Sequence, residues 1–359
     1  MKERMFHLDF LRSFLIFLII FGHFIEGYWR SQPGQFLFLK KLWVLIYYFH
    51  IPAFAVISGF LSKTENNPEY IKKLFYSLIV PYIIFQILYR ILAFSMGFSS
   101  EPVIHFFSEP YSHLWYLTAL FFWRILLPVF ASIRYSFLLA LMIGIVSIFA
   151  KDAEIYMSLG RTLRFFPYFI FGFILQRHLN LKFQDIQYQI LSSLFILSVI
   201  LISFYFPVNG DEVRVLNQFS ANEENPAASI FHQIRIYFFG FGLSISLFIL
   251  FFRMNIRWNF LSVPGRYSLY PYVLHLAAVL FFLKSRFAYN LKESIGNEVF
   301  LSGILLLFSV FLSFIFSSHF IRKVTSILLK PQSDFFERYG AAISISLILF
   351  LLIFQNFII

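Results

Sequence analysis

Long apolar segments separated by short polar ones make up most of this chain. Apolar runs of about 17 to 25 residues have the length that a helix needs to cross a bilayer, and the short alternating segments of an outer-membrane barrel are not seen. We therefore predict an all-α polytopic membrane protein, a bundle of about 10 or 11 transmembrane helices. The predicted spans are residues 6–24, 42–61, 74–96, 113–131, 135–150, 162–175, 190–206, 230–252, 268–282, 300–328 and 341–354.

Composition supports this fold class, because only 13% of the 359 residues are charged and 59% are hydrophobic. Soluble domains carry about 25% charged residues. The first apolar run has the basic start of a signal peptide, but it is long, contains Arg12 and is not followed by a small-residue cleavage site. We expect it to be a retained span, within a membrane domain of residues 1–330 that is followed by an accessory helix in 331–359.

The net charge of +11 comes from Lys and Arg in short loops between the apolar runs. These residues concentrate in the segments that are inside the cell if the N-terminus is cytoplasmic, as the positive-inside rule requires. The predicted outer loop 98–112 has neither Lys nor Arg and carries Glu101 and Glu109. We therefore predict a cytoplasmic N-terminus and the inner (plasma) membrane, with the bilayer rather than nucleic acid as the partner of these charges.

The chain contains no cysteine, which excludes disulfides, thiolate metal sites and cysteine nucleophiles. No Gly-x-Ser-x-Gly motif occurs either, so the sequence gives no support to a serine-hydrolase mechanism. We predict no metal site.

The first span carries Asp9, Arg12 and His23. Ionisable groups at membrane depth are costly and usually mark a functional site. Arg12 and His23 are eleven positions apart, nearly three helical turns, so they share one face about 16 Å apart. Each alone is equally well explained as an interface residue, but the pair in phase favours function. Asp9 is about 21 Å from His23, so we expect it to pair with Arg12 or another basic residue.

The second span has His50 and Pro52 near its predicted outer start, followed by Ser58 and Gly59. A single His near an interface is more often structural than catalytic, and Ser-Gly favours close helix contact. The next loop is basic. Its Lys72 and Lys73 are either positive-inside anchors or ligands for the phosphates of an anionic donor from the cytoplasm.

Later segments offer three further groups of candidate residues. His113, Trp115 and Tyr116 lie at a predicted outer interface, where an aromatic belt is expected but where aromatic faces also bind sugars. Three residues apart, Arg161 and Arg164 are either interface anchors or ligands for a sugar, phosphate or carboxylate. The third group shares one helix face, for which bracing between helices is the first interpretation: Ser268, Tyr272 and His275. The predicted outer loop 207–229 is long enough to be a lid.

Together these motifs resemble the integral-membrane acyltransferase-3 family. The resemblance rests on Asp9-x-x-Arg12 with His23, on the strings Phe-His-Ile-Pro and Ser-Gly of the second span, on His-Leu-Trp-Tyr-Leu, and on the late Gly-x-x-Ser and Tyr-x-x-His elements. The end of the first span is similar to the fucose 4-O-acetylase branch. One departure is that lysines replace the usual arginine pair of the basic loop, which affects bidentate phosphate contacts.

The resemblance implies an enzyme that moves an acyl group, most simply acetyl from acetyl-CoA, to a sugar hydroxyl of a cell-surface polysaccharide or lipid-linked glycan. Such a transfer needs a base, and His titrates near neutral pH. It also implies roles for residues. They are His23 as base with Arg12 in catalysis; Asp9, Ser58, Lys72 and Lys73 at the donor; His50, His113, Trp115, Tyr116, Arg161 and Arg164 at the acceptor; and Ser268, Tyr272 and His275 in support.

Two other functions remain open at this point. A transporter or flippase of lipid-linked sugars would share the helix bundle, the interior charges and the outer aromatic residues. Transporters commonly show inverted repeats, and no convincing repeat is seen here. A sensor or scaffold would leave the in-phase Arg12 and His23 unexplained.

Overall fold

The computed structural model describes residues 5–31, 34–98, 109–150, 153, 156–178, 185–205, 225–254, 259–285, 288, 290–291 and 295–329. Within these ranges the regular structure is helical, without a strand. The α-helices are α1 Phe6–Ser31, α2 Leu37–Phe60, α3 Pro68–Leu74, α4 Val80–Ser95, α5 Trp115–Ser132, α6 Ser136–Val146, α7 Leu159–His178, α8 Ile186–Tyr205, α9 Pro226–Arg253, α10 Val263–Arg266, α11 Leu269–Lys284, α12 Glu298–Ser317 and α13 His319–Leu329.

Seven helical segments in the described ranges are long and apolar enough to span a membrane, or eight if a bent pair counts as one span. The shorter apolar helix Ser136–Phe149 and the 20-residue α7 occupy the positions of the fifth and sixth predicted spans. The prediction of an all-α polytopic membrane protein is confirmed. The eleventh span, 341–354, and the accessory segment 331–359 lie outside the described residues.

The tenth predicted span, 300–328, is wrong as a single helix. The chain breaks at Ser318, whose extended backbone (φ −63°, ψ 154°) ends α12. Helix α13 then begins at His319 and carries Arg322 and Lys323. An amphipathic, basic segment of this kind is typical of a helix at a membrane surface, so apolar content alone overestimated the length of the span.

Helix α1 is the centre of the bundle, since it packs against α2, α9, α10, α11 and α12. Contacts at its ends show how its neighbours run. The Tyr28 hydroxyl near the end of α1 donates to the carbonyl of Ala288, just after α11, at 3.0 Å. At the start of α2, Leu39 N–H donates to the Glu298 carboxylate at the start of α12. We call the end of the bundle where α1 begins the N-terminal side, which the charge pattern predicts to be cytoplasmic.

Two glycines allow α2 and α7 to cross in close contact. A Cβ at Gly59 would overlap the backbone carbonyl of Phe169 in α7, and a Cβ at Gly172 would overlap that of Val56 in α2. Backbones that approach this closely favour dispersion contacts between helices in lipid. The close helix contact predicted for the Ser-Gly pair of the second span is therefore present.

Two irregular segments shape the interior. Residues 109–114 descend along α4, where the Gln86 side chain donates to the carbonyl of Glu109 and accepts from Tyr111 N–H, both at 2.7 Å. Residues Asn259–Arg266 form the first arm of a broken span that bends by 78° into α11. Irregular backbone at membrane depth is tolerated where protein groups satisfy its polar atoms.

Candidate active site

The functional faces predicted on α1 and α11 lie against each other. On the N-terminal side, Arg12 Nη2 donates to Ser268 Oγ at 2.5 Å. Further along the same two helices, the rings of His23 and His275 have centroids 5.1 Å apart. The helical phase that groups Arg12 with His23, and Ser268 with His275, therefore places all four side chains along one strip between the two helices.

Three imidazoles meet at the far end of this strip. We call His23, His113 and His275 the histidine cluster. The ring centroid of His113 is 4.5 Å from that of His275 and 6.1 Å from that of His23. His113 and His275 are buried, whereas the His23 side chain keeps 17% of its surface exposed. The His23 ring thus points into the bundle, and it is the member of the cluster that a substrate can reach.

Hydrogen bonds fix the tautomer of His275. Its Nδ1 lies 3.0 Å from the carbonyl of Pro271 and 2.7 Å from that of Tyr272, and a carbonyl can only accept. Nδ1 therefore carries the hydrogen, and in the neutral ring Nε2 keeps its lone pair. Nε2 is buried without a hydrogen-bond partner among the described residues. Such an unsatisfied acceptor at the centre of a polar cluster requires an explanation.

Glu26 is a member of the site that our sequence analysis missed. Its carboxylate lies 3.6 Å from Nδ1 of His23, one helical turn earlier in α1. The same carboxylate accepts hydrogen bonds from Arg30 at 2.8 Å and from the Tyr47 hydroxyl of α2 at 3.1 Å. A carboxylate held on one side of an imidazole orients the ring and stabilises its protonated form. The i,i+3 spacing of His23 and Glu26 was a readable signal.

The side chains of His113, Trp115 and Tyr116, which were predicted at an outer interface, are buried in the bundle and do not face outward. Gln86 draws the preceding segment inward. Ser112 adopts a left-handed conformation with φ 49°, which is strained for a residue other than glycine. The Tyr272 hydroxyl donates to the carbonyl of His113, so α11 also holds this turn. These residues are therefore part of the interior site and not of an aromatic belt.

Further predicted residues surround the cluster. The hydroxyls of Ser58 and Tyr116 are hydrogen-bonded at 2.9 Å, and the Tyr116 ring lies 6.0 Å from that of Tyr272. Arg161 lies over the ring of Trp115, 5.5 Å from its centroid. Arg164 is buried beside α9, where the Tyr237 hydroxyl donates to its carbonyl at 2.9 Å. The structure thus brings Arg161 to the site, whereas the backbone of Arg164 contacts α9.

His50 is buried in α2 behind Glu26. Its Nδ1 bonds to the carbonyl of Ile46 at 2.8 Å, and its ring lies 4.5 Å from that of Tyr47. Since Tyr47 binds Glu26, His50 belongs to the layer that supports the pair of Glu26 and His23. Tyr47 and Glu26 therefore lie between His50 and His23, the partly exposed residue of the site.

On the N-terminal side of the strip, Asp9 lies 3.6 Å from Arg12, so the predicted pairing of these residues is present. Gly265 N–H donates to Ser13 Oγ at 2.7 Å, and a Cβ at Gly265 would overlap the carbonyl of Asp9. The broken span is thereby held directly against α1. This contact places Ser268 beside Arg12 and sets the register between the two functional faces.

A cavity of about 470 Å³ opens on the N-terminal side, between the end of α2, α3 and α5. Its walls include Lys63, Lys73 and Arg124, together with Tyr70 and Ser62. Lys73 was predicted at a donor site, whereas Lys72 is exposed next to the cavity without lining it. Arg124 was missed because it lies in the apolar fourth span, far from the basic loop in sequence.

The cavity and the histidine cluster are connected by side chains. Ser62 lines the cavity and donates to the carbonyl of Ser58, one turn earlier in α2. From Ser58 the contacts continue through Tyr116 to Tyr272 and the cluster. In the described residues no group of three or more His, Cys, Asp or Glu side chains is arranged to hold a metal ion.

Comparison with known proteins adds the following findings. Residues 6–318 match the acyltransferase-3 family, described as an acyltransferase domain. The nodulation protein NolL of Mesorhizobium japonicum is 26% identical over 175 residues, which is 46% of this chain and 46% of that protein. The match thus spans about half the length of that curated relative. No solved structure matches the chain.

Proposed function

The chain belongs to the acyltransferase-3 family, and from that premise we propose that it is a membrane O-acyltransferase. The proposed reaction moves an acetyl group from acetyl-CoA to a sugar hydroxyl of a cell-surface polysaccharide or lipid-linked glycan. The observation that carries this proposal is the partly exposed imidazole of His23, which lies inside the bundle with a carboxylate on one side and two further imidazoles on the other.

In the proposed reaction His23 is the general base. It removes the proton from the sugar hydroxyl while the oxygen attacks the thioester carbonyl, and the carbon–sulfur bond then breaks to release CoA. Glu26 faces Nδ1 of His23, so the opposite nitrogen, Nε2, is the one that meets the hydroxyl. The carboxylate favours the imidazolium that forms in this step, which a buried site would otherwise oppose.

The donor enters from the N-terminal side. The cavity there has the cations Lys63, Lys73 and Arg124 for the phosphates of CoA. The narrow arm that carries the thioester then passes Ser58 and Tyr116 towards the histidine cluster. Arg12 and Asp9 lie at the N-terminal end of the strip and act on the donor there. A cytoplasmic donor and an inner (plasma) membrane location are part of this proposal, and the charge pattern of the loops supports them.

The carbohydrate acceptor approaches the cluster from the other side. Trp115 offers an aromatic face, with Arg161 above it as a hydrogen-bond donor for hydroxyl or anionic groups of a sugar. His50 supports this region through Tyr47 and Glu26. The acceptor and the donor therefore meet at His23 from opposite sides of the membrane.

Transfer of radiolabelled acetyl from acetyl-CoA to membrane glycan tests the proposal. Wild-type protein in membranes should transfer label, and His23→Ala should reduce the transfer by at least about 100-fold while the protein stays in the membrane. His319→Ala is the matched control, because His319 is exposed at the start of α13. Transfer by His23→Ala at the wild-type rate would exclude His23 as the base.

A transporter of lipid-linked sugars is the alternative, and the broken span of Asn259–Arg266 with α11 favours it, since discontinuous helices are frequent in transporters. The same assay separates the two functions. A flippase moves glycan across the membrane without incorporating acetyl label, whereas the proposed enzyme incorporates label in proportion to its amount.

A further inference from the structure

We infer that His275 is a proton-relay residue, which receives through its Nε2 the proton that His23 takes from the acceptor hydroxyl. The inference rests on the proposed acyl transfer and adds to it a second proton acceptor. The sequence predicts bracing between helices for His275. The structure shows instead that Nδ1 of this ring bonds within its own helix and that Nε2 has no hydrogen-bond partner among the described residues.

The bracing nitrogen is Nδ1, which donates to the carbonyls of Pro271 and Tyr272. Both carbonyls belong to the preceding turn of α11, so this contact holds the ring against its own helix. Nε2 is the remaining atom, and it is buried without a hydrogen-bond partner among the described residues. An apolar side chain would fill the same space without the cost of an unsatisfied acceptor. A structural role therefore explains Nδ1 of this imidazole but not Nε2.

The surroundings of the ring show which group Nε2 can serve. His23 and His275 have ring centroids 5.1 Å apart, with an angle of 31° between the ring planes. A hydrogen bond between two imidazole nitrogens requires centroids about 5 Å apart, since the bond is about 3 Å long and each nitrogen lies about 1 Å from its centroid. The spacing of 5.1 Å is therefore short enough for a proton to pass between the two rings after a small movement of either side chain.

His113 closes the site around this pair. Its ring centroid is 4.5 Å from that of His275, and the Tyr272 hydroxyl holds its carbonyl. The strained backbone at Ser112, with φ 49°, is the local cost of placing it there. Strained positions that persist in this way cluster at functional sites. The rings of His23 and His113 thus both lie within about 5 Å of the His275 ring, centroid to centroid.

The proton balance of the proposed step is complete. The hydroxyl oxygen forms a bond to the thioester carbon, and its proton moves to Nε2 of His23. The proton then moves to Nε2 of His275, which returns His23 to the neutral form. When the carbon–sulfur bond breaks, its electron pair stays on sulfur, and the thiolate of CoA receives the proton from the cluster. No oxidant, reductant or metal is required.

The variant His275→Asn separates the two roles of the ring. The amide nitrogen of Asn lies close to the position of Nδ1 and can donate to the carbonyls of Pro271 and Tyr272, whereas nothing replaces the lone pair of Nε2. We expect kcat for acetyl transfer to fall at least about 100-fold. We expect the KM for acetyl-CoA and the amount of folded protein to stay within about twofold of wild type, because the brace and the donor cavity are kept.

His7→Asn is the matched control. His7 lies in α1 with its ring 4.5 Å from that of Phe252, and its Nε2 is likewise buried without a partner in the described part of the chain. It lies outside the histidine cluster, so its replacement should leave kcat unchanged. If folded His275→Asn keeps a kcat within about tenfold of wild type, the relay is excluded and His275 is a brace.

If His275→Asn does not fold, His275→Gln decides the question, because its longer amide side chain fills more of the space of the ring and takes up no proton at neutral pH. Folded His275→Gln should lose at least about 100-fold in kcat, and a kcat within about tenfold of wild type overturns the relay. Failure of the proposed function is a different result, since wild-type protein would then transfer no label from acetyl-CoA.

Discussion

At the scale of single residues, Glu26 determines which nitrogen His23 offers to a substrate. The carboxylate lies 3.6 Å from Nδ1 and is itself held by Arg30 and by Tyr47 of the neighbouring helix. A fixed carboxylate beside Nδ1 limits the orientations of the imidazole and leaves Nε2 on the opposite side of the ring. The positive charge that develops on His23 during the reaction is then balanced within one helical turn.

Replacing this carboxylate by an amide tests its role. We expect Glu26→Gln to lower kcat for acetyl transfer about 100-fold, because the amide keeps the size of the side chain but no longer balances the imidazolium. The KM for acetyl-CoA should change little, since the donor cavity is on the N-terminal side. Steady-state kinetics with purified protein gives both values.

The same substitution at Glu298 is the control for Glu26→Gln. Glu298 accepts a hydrogen bond from Leu39 N–H at the far side of the bundle and has no contact with the cluster. Glu298→Gln should leave kcat unchanged, and at most it should lower the amount of folded protein. An unchanged kcat in Glu26→Gln would mean that the carboxylate does not position His23.

The sequence predicted the positions of some residues of the site but not of others. Arg12 and His23 were found because helical phase is a local property, and the pairing of Asp9 with Arg12 was found for the same reason. The i,i+3 spacing of His23 and Glu26 is equally local, but this pair was overlooked. The burial of His113 in the bundle was not predicted, because it depends on Gln86, which is 27 positions earlier and on another helix.

At the scale of elements, the crossing of α2 and α7 fixes the position of Ser58 relative to the rest of the site. Gly59 follows Ser58, and Gly172 lies opposite in α7. Each glycine meets a backbone carbonyl of the other helix, so neither position accepts a side chain without separating the helices. Separation would move Ser58 away from Tyr116, which it contacts at 2.9 Å.

We therefore expect Gly59→Ala and Gly172→Ala each to lower the thermal unfolding temperature and the amount of folded protein. Fluorescence-detected size-exclusion chromatography of heated, detergent-solubilised samples measures both quantities. Gly303→Ala is the matched control, because Gly303 lies within α12 and nothing is within 4 Å of an added Cβ. It should be neutral or stabilising by up to about 1 kcal/mol, since alanine is the better helix former. Equal behaviour of all three variants would contradict a tight crossing.

The sequence predicted helices best where their length and hydrophobicity alone determine them. Eleven apolar runs were identified by length and hydrophobicity, and helices occupy the ten positions that fall within the described chain. The break at Ser318 was missed because the segment after it is still partly apolar, and only its basic face distinguishes it. Hydropathy does not report the direction of a helix axis, so the 78° bend before α11 was equally invisible.

At the scale of the whole molecule, the site is divided along the axis of α1. The cations of the cavity and the pair of Asp9 and Arg12 lie on the N-terminal side, and the histidine cluster lies deeper. The sequence predicted this division from the spacing of Arg12 and His23. It did not predict the cavity, because its wall combines the loop after α2 with Arg124 from α5, about 60 residues later.

Charge reversal in the cavity tests the division. We expect Lys73→Glu to raise the KM for acetyl-CoA about tenfold, because a cation facing the phosphates becomes an anion. The value of kcat at saturating donor should stay within about threefold, since Ser58 and Tyr116 separate the cavity from the cluster. Kinetics over a range of acetyl-CoA concentrations separates the two parameters.

Lys323→Glu shows whether the rise in KM in Lys73→Glu is specific to the cavity or follows from any loss of positive charge on this side of the protein. Lys323 is exposed on α13, which follows α12 at the same end of the bundle, and it does not line the cavity. The two variants change the net charge of the chain equally, so a KM that rises only in Lys73→Glu places the donor phosphates in the cavity. If both variants raise KM alike, the surface charge of this side attracts the donor, and the cavity is not its binding site. If Lys73→Glu instead lowers kcat alone, Lys73 acts on the cluster, and the separation of donor binding from chemistry along α1 does not hold.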